Sequence, residues 1–186
     1  MKEEVVVKRA IKGNSDAFEE LMTRYQEQMY RTAYLYLGNQ EDSLDVVQES
    51  VYQALKNIKQ VQKPKYFKTW LMRIVINNAM ALNKKKAQVI FFPEGDEREG
   101  MDAVIYEESI ERQTDSHLDI TTALAQLKES YRKVIILYYY QSLSVREIGQ
   151  VLELSEGTVK TNLARGRQAL KEVLLKEGES DERQTN

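Results

Sequence analysis

Two prolines and eight glycines punctuate all 186 residues. These are the residues that stop helices, proline by lacking an amide hydrogen and glycine by its backbone entropy. The long intervals between them are therefore free to run as helices, and their apolar spacing is helical. Past Gly13, which can end a short N-terminal helix, Phe18, Leu21, Met22, Tyr25 and Met29 recur three and four residues apart. Ser15 or Asp16 is placed to cap that helix, and Gly38 to close it. "NQEDS" then opens another with carboxylates in its first turn, where the dipole favours them. Its buried face is expected at Leu44, Val47, Val51, Ala54, Leu55 and Ile58. A break follows in "KQVQKPKYFKT", because Pro64 cannot sit inside a helix. Phe67, Leu71, Ile74, Asn78 and Leu82 mark the inward face of the next helix, which is expected to run out in "NKKK".

Periodicity then lapses from Ala87 to His117, where "VIFFPEGDEREG" joins an apolar knot to turn formers and charge. Helical spacing resumes near Leu118 in "ALAQL", "YRKVIILYYY", "VREIGQVL" and "EGTVKTNLARGRQALKEVL". The charge divides along the same lines. Up to Lys86 fifteen cations face ten anions, whereas from Ala87 to His117 two arginines oppose nine carboxylates. From Leu118 onward there are ten of each, the acidic excess lying in the tail "EGESDERQTN". Two helical bodies joined by an acidic strap is the resulting organisation. The boundaries are 1–86, a linker at 87–117, 118–175, and a tail at 176–186 expected to be disordered. The "VIFF" knot reads as a docking patch, the carboxylates as a nucleic-acid mimic, a repellent of stray DNA or a solubilising spacer.

Three segments carry chemistry. In "LSVREIGQVLELSEGTVKTNLARGRQAL", Ile148, Val151 and Leu152 form one apolar face, and Leu154 and Ser155 make a corner. Ser155 suits the cap of the following helix. Val159, Leu163, Gly166 and Leu170 would face inward, leaving Thr158, Thr161, Asn162 and Arg165 outward with Lys160 and Arg167 flanking. Small polar groups near a helix N-terminus with cations further along suit a helix in the major groove. A solvated helical hairpin would show the same spacing. The second segment is the stripe Asp45, Gln48, Glu49 and Tyr52, at i, i+3, i+4 and i+7 opposite the apolar face. The third is "KPKYFKTWLMRIVINNAMALNKKK", in which cations alternate with Tyr66, Phe67 and Trp70. Bases stack on aromatic rings while lysines and arginines follow phosphates, so this composition suits single-stranded DNA. Core packing is the competing role for Phe67 and, more strongly, for Trp70.

These motifs resemble those of bacterial RNA polymerase sigma factors of the extracytoplasmic-function (ECF) class. Leu143, Ser144, Glu147, Ile148, Gly157, Thr158, Val159, Lys160, Arg165 and Arg167 match the region 4 pattern. Asp45, Val47, Gln48 and Glu49 match the "D-x-V-Q-E" signature of region 2. The run "F-x-x-W-L-x-R-I" followed by Asn77 and a basic end is similar to the minus-ten recognition segment. Three positions depart from the pattern. Gly149 stands where alanine is usual, Glu153 where glycine is common, and Lys128 where proline is frequent. A left-handed Glu153 would cost about 1 kcal/mol.

The resemblance implies an all-α chain of two small domains, sigma region 2 and a region 4 helix-turn-helix, joined by the flexible acidic linker. It implies core polymerase binding, on the β′ clamp coiled coil and other core surfaces, through Asp45, Gln48, Glu49 and Tyr52. It implies minus-ten DNA binding by Lys63, Lys65, Tyr66, Lys68, Arg73, Asn77 and Lys84, with a flipped base held in the loop before Phe67. Arg73, Asn77 and Lys84 would line the helix face nearest the DNA. Minus-thirty-five binding falls to Ser155, Gly157, Thr158, Lys160, Thr161, Asn162, Arg165 and Arg167. Partners are then core RNA polymerase, promoter DNA and an anti-sigma factor, with no cofactor.

Other classes find little purchase. Cysteine is absent and His117 is the single histidine, so disulfides and thiolate metal sites are excluded and no catalytic constellation or phosphate loop appears. No apolar run approaches a membrane span and "MKEEVVVKRA" lacks the apolar core of a signal peptide, so a cytoplasmic protein without membrane insertion is expected. The alternatives are a helix-turn-helix regulator acting without core polymerase and a helical interaction module with an incidental basic face.

Overall fold

The structure, a computed structural model, describes residues 2–91 and 120–184, and among these every element is helical. The first unit contains α1 (Glu3–Ile11), α2 (Ser15–Leu37), α3 (Gln40–Asn57) and α4 (Phe67–Phe91), with two 3₁₀ turns at Ile58–Gln60 and Pro64–Tyr66. The second contains α5 (Ile120–Ala125), α6 (Glu129–Ile135), α7 (Val145–Leu152) and α8 (Glu156–Gln184). A π-helical turn, Ile136–Tyr140, continues α6.

Local chemistry explains the boundaries. Asn14, rather than Ser15 or Asp16, caps α2 by accepting from the Ala17 amide at 2.7 Å. Gly38 ends the helix at φ 72°, a left-handed position that glycine adopts without a Cβ penalty. Asn39 caps α3 through the Asp42 amide at 2.9 Å. Pro64 opens the second 3₁₀ turn, where its missing amide costs nothing. Lys128 is the N-cap of α6 at φ −53°, close to the angle a proline ring enforces, so lysine meets the requirement of that position without the ring.

Two helices outrun their expected ends. α4 continues to Phe91, past the Lys84–Lys86 run and into the segment assigned to the linker. α8 continues to Gln184, well into the expected tail, because adding one residue to an existing helix is cheap for Glu, Lys, Arg and Gln. The rest of the acidic strap, with His117, lies outside the described residues.

The burial of α3 differs from the hydropathy pattern. Ser43, Val46, Ser50 and Ala54 face the core, while Leu44 and Leu55 are 45% and 55% exposed. Small residues let α3 approach its neighbours closely, and their hydroxyls are satisfied. Ser43 Oγ donates to the Asn39 carbonyl, and Ser50 Oγ accepts from Asn78 Nδ2 at 3.0 Å. α4 buries Phe67, Leu71, Met72, Val75, Ile76 and Ala79 fully; Ile74, Asn78 and Leu82 are only partly covered.

The apolar core runs without interruption from one unit into the other. Gln141, at the end of the π turn and 1% exposed, donates to Thr32 Oγ1 at 2.7 Å and to the Gln28 carbonyl at 3.3 Å. Arg132 reaches the Tyr36 carbonyl at 3.1 Å and lies 5.6 Å from the Tyr36 ring centroid. Burial lowers the Arg132 pKa and raises that of Tyr36, while the carbonyls of Ala125 and Leu127 supply further acceptors to the guanidinium.

The α7–α8 corner is unusually tight. A Cβ on Gly149 would stand 2.8 Å from the Leu154 carbonyl oxygen, a backbone atom that cannot step aside. We expect Gly149→Ala to destabilise the protein by about 1–3 kcal/mol. The control Gly157→Ala, whose Cβ would meet only Ser155 Oγ at 3.8 Å, should shift stability by less than ~1 kcal/mol. Urea unfolding distinguishes the two by midpoint, with the slope unchanged.

Candidate polymerase and nucleic-acid interfaces

The α3 stripe faces outward as a unit. Asp45, Gln48, Glu49 and Tyr52 are all exposed, Tyr52 by 61%, and Glu49 accepts from Gln53 Nε2 at 2.7 Å. Leu44 and Leu55 join them, so the surface has apolar side chains among its carboxylates. Sequence reasoning missed these two leucines by assigning them to the core. The signal that could have found them is the serine pair at Ser43 and Ser50, whose seven-residue spacing marks the same helix face as Val46.

The loop before α4 is cationic and holds one accessible aromatic residue beside its lysines. Lys63 and Lys65 are exposed, and the Lys65 ammonium sits 4.8 Å from the centroid of the half-buried Tyr66 ring. Phe67 belongs to the core, edge-on to Tyr25 at 5.6 Å. Trp70 is half-buried, 5.7 Å from Phe67. Along α4, Asn77 and Lys84 are exposed, but Lys68 and Arg73 are engaged by the second unit. Lys68 Nζ donates to the Gln141 carbonyl at 2.7 Å, and Arg73 forms an ion pair with Glu153. Thr69 between them donates to Glu147 at 3.3 Å. Arg73 and Asn77, with Met80, therefore line a small cleft closed on its far side by Lys133, Val151, Leu152 and Glu153. The second unit thus covers the expected DNA-facing side of α4 in part, at Lys68 and Arg73, and leaves Asn77 and Lys84 exposed.

The helix-turn-helix is built by its caps. Ser144 and Glu147 form a reciprocal capping box at the start of α7. Glu153 ends α7 in the left-handed conformation, φ 55° and ψ 41°. Ser155 then accepts from the Thr158 amide at 3.1 Å, fixing the start of α8. Val159 and Leu163 are buried, and a Cβ on Gly166 would approach Ile135 to 3.1 Å, so glycine permits the close crossing of α6 and α8. On the outer face Gly157, Thr158, Lys160, Thr161, Arg165 and Arg167 are exposed and Asn162 is half-buried. Thr161 Oγ1 is tied to the Gly157 carbonyl at 3.0 Å and Arg167 Nε to that of Leu163 at 3.3 Å. Lys160 and Arg165 have no ion-pair partner among the described residues.

Both segments match known protein families. The family description "Sigma-70 region 2" matches residues 21–87, and "Sigma-70, region 4" matches residues 117–170. The ECF RNA polymerase sigma factor SigW of Bacillus subtilis is 34% identical over 177 residues, covering 90% of this chain and 94% of the relative. The chain belongs to the ECF family of RNA polymerase sigma factors. A second Bacillus subtilis relative, RNA polymerase sigma factor SigV, is 30% identical, covering 84% of this chain and 90% of its own. Two solved structures share the fold. CnrH in complex with the cytosolic domain of CnrY has a TM-score of 0.67 at 22% identity, covering 92% of this chain and 96% of that one. The sigma factor RpoE in complex with the anti-sigma factor NepR, from Bartonella quintana, has a TM-score of 0.68 at 20% identity, covering 84% and 96% respectively.

As an ECF sigma factor the chain binds core RNA polymerase and directs promoter-specific initiation. Members of the family are initiation factors rather than catalysts. Among the described residues no group of His, Asp and Glu could hold a metal ion, and no helix is long and apolar enough to cross a membrane.

The capping box also makes the recognition unit sensitive to acid. The Ser144 hydroxyl chiefly, then the Ser144 amide, Thr69 and the Lys68 charge, hold the Glu147 carboxyl below its ordinary pKa against a smaller opposing effect of burial. As pH falls, the unfolded chain therefore takes up this proton before the folded one. The stabilisation is complete above the ordinary glutamate range and is lost as pH falls through the folded pKa. Glu147→Gln keeps a capping side chain but cannot titrate. The stability gap between wild type and variant should be widest near neutrality and close as pH falls below the ordinary glutamate range, as read by urea unfolding at a series of pH values.

Proposed function

We propose a division of labour among the exposed residues of this sigma factor. Asp45, Gln48, Glu49 and Tyr52 dock the β′ clamp coiled coil of core polymerase, and Leu44 and Leu55 add apolar contact to the same surface. An interface gains most from apolar and aromatic groups that become fully desolvated, while charges at its rim set approach and register. Lys63, Lys65 and Tyr66 meet the melted minus-ten strand, the ring stacking on a base and the cations following phosphates. Lys68, Arg73, Asn77 and Lys84 extend that track once α7 is displaced. The α8 face, with Ser155, Gly157, Thr158, Lys160, Thr161, Asn162, Arg165 and Arg167, enters the major groove of the minus-thirty-five element. The units bounded near residues 86 and 118 are the functional domains.

The observation supporting this reading is the sorting of exposed charge within the family-matched segments. Carboxylates with apolar neighbours line α3, and Lys160 and Arg165, which have no ion-pair partner among the described residues, stand on the outer face of α8. The site of action is the cytoplasm, the polymerase performs the chemistry, and an anti-sigma factor is a further partner.

Run-off transcription with purified core polymerase on genomic fragments tests the whole reading. Docking is tested separately by the double variant Asp45→Arg/Glu49→Lys, which should lose competition for limiting core against a second sigma factor while its helical circular dichroism stays unchanged. Equal competition by the variant would reject the α3 assignment.

Promoter reading is tested on single-base promoter variants at several salt concentrations. Arg165→Ala should cost about 1–3 kcal/mol with relaxed preference at one position if it meets a base edge. If Arg165 meets phosphate instead, affinity should fall evenly and the salt slope should shrink by about one unit. Lys160→Ala and Arg165→Ala leaving affinity, preference and slope all untouched would mean α8 does not read the promoter.

A further inference from the structure

We infer that α1 is a brace that seats the minus-ten loop, with Val6, Val7 and Tyr25 as positioning residues for base capture. The inference rests on the assignment of Lys63, Lys65 and Tyr66 to the melted strand given above. The region 2 match begins at residue 21, and α1, which ends at Ile11, lies before it. The helix nevertheless packs against α2 and against both 3₁₀ turns of the loop, Ile58–Gln60 and Pro64–Tyr66.

The loop has little with which to hold itself. From Ile58 to Tyr66 only Ile58 and Val61 are buried, while Lys59, Gln60, Gln62, Lys63 and Lys65 are exposed. The backbone bonds that shape it are local. The Val61 amide donates to the Ile58 carbonyl at 3.1 Å and the Tyr66 amide to the Lys63 carbonyl at 3.0 Å. Lys59, Lys63 and Lys65 also repel one another, which favours a spread of positions over one seat. A surface from elsewhere has to fix the loop, and α1 offers one. Val6, Val7 and Ala10 are exposed by 2% or less, although α1 has only nine residues. A helix that short is marginal by itself, so its order and that of the loop support each other.

A second contact runs beneath the last residue of the loop. Tyr25 on α2 meets Phe67 edge-on at 5.6 Å, and Phe67 directly follows Tyr66. Burial, then a hydrogen bond to Glu3 of α1, holds the Tyr25 hydroxyl well above its ordinary pKa, so it stays a neutral donor. Glu3, Tyr25 and Phe67 thus link α1 to the start of α4, where Tyr66 presents its ring.

This support bears directly on base capture. An extruded base is stabilised by stacking and hydrogen bonding in its pocket. Fixing the backbone of one or two loop residues costs about as much as one stacked base returns. A loop that became ordered only on contact would cancel its own stacking gain. A loop ordered in advance by α1 keeps it.

Base capture is measured with holoenzyme assembled from the full chain and purified core polymerase. Fluorescent single strands carry the minus-ten segment of a promoter mapped by run-off transcription, with one abasic site moved through it. In the wild type, removing the captured base should weaken binding by about fivefold to a hundredfold. In Val7→Ala the intact strand should bind less tightly, and the abasic penalty should fall below about threefold. Val46→Ala makes the same truncation at a buried position of α3 in the same unit, and should keep the wild-type penalty. Tyr25→Phe retains the ring and removes only the hydroxyl, so it should reduce the penalty by a smaller factor. It also serves as the test if Val7→Ala does not fold.

A full abasic penalty in both Val7→Ala and Tyr25→Phe overturns the brace and leaves the minus-ten assignment standing. Equal reductions in Val7→Ala and Val46→Ala overturn it as well, since α1 would then serve only general stability. A wild type without a penalty at any position, or Tyr66→Ala with the penalty intact, removes the minus-ten assignment and the brace with it.

Discussion

Helix α4 buries Phe67, Leu71, Met72, Val75, Ile76 and Ala79, and at about 100° per residue these positions sweep roughly half of the helix surface. An apolar arc that wide needs more than one neighbour. α2 and α3 cover part of it, with Thr32 on α2 touching the Met72 sulfur at 3.6 Å. α7 packs against the adjoining flank. The flank it meets carries Lys68, Thr69 and Arg73, which is why the contact between the units is apolar beneath and polar at its margin. The helix that the sigma-factor reading gives to melted DNA is thus also the one that joins the two units.

The sequence made helix type and several boundaries legible because those depend on nearby residues. Gly38, Pro64 and Ser155 act at the positions they occupy, and the inward set Val159, Leu163 and Gly166 follows from the period alone. The left-handed Glu153 was also legible, through its departure from a glycine-bearing motif. The orientation of α3 was not. Hydropathy scores Ser43 and Ser50 as outward, but a serine whose hydroxyl bonds to a backbone carbonyl or to Asn78 is no burden inside. It also allows closer helix approach than leucine would. Once those positions turn inward, Leu44 and Leu55 must turn out. The polymerase surface inferred from Asp45, Gln48, Glu49 and Tyr52 then has more apolar character than its polar stripe suggested.

Contacts between the units were beyond local reasoning. Gln141 sits at the end of a run read only as helical, and the π turn that aims it at Thr32 leaves no signature in spacing. Its partner lies more than a hundred residues away, on α2. For the same reason Lys68 and Arg73 could be identified as cations suited to phosphate but not as groups already occupied. The correction concerns availability rather than chemistry, since the donors that hold Gln141, Glu147 and Glu153 are the ones a nucleic-acid strand would seek.

Two local costs in the turn of the recognition unit make sense together. Gly149 lies within α7, where glycine is about 1 kcal/mol less favourable than alanine, and Glu153 occupies a left-handed position that disfavours it by a similar amount. Exchanging the preferences, with alanine in the helix and glycine at its end, would improve both positions considered locally. It would also place a methyl group against the Leu154 carbonyl and remove the carboxylate that meets Arg73. The glycine lets the chain fold back closely over α7, and the glutamate extends from that tight end towards α4. Local preference and tertiary contact pull in opposite directions here, and at such positions function is the first place to look for the compensation. In this chain the compensation is reach: the turn that leads into α8 also carries the side chain that pairs with Arg73 of the first unit.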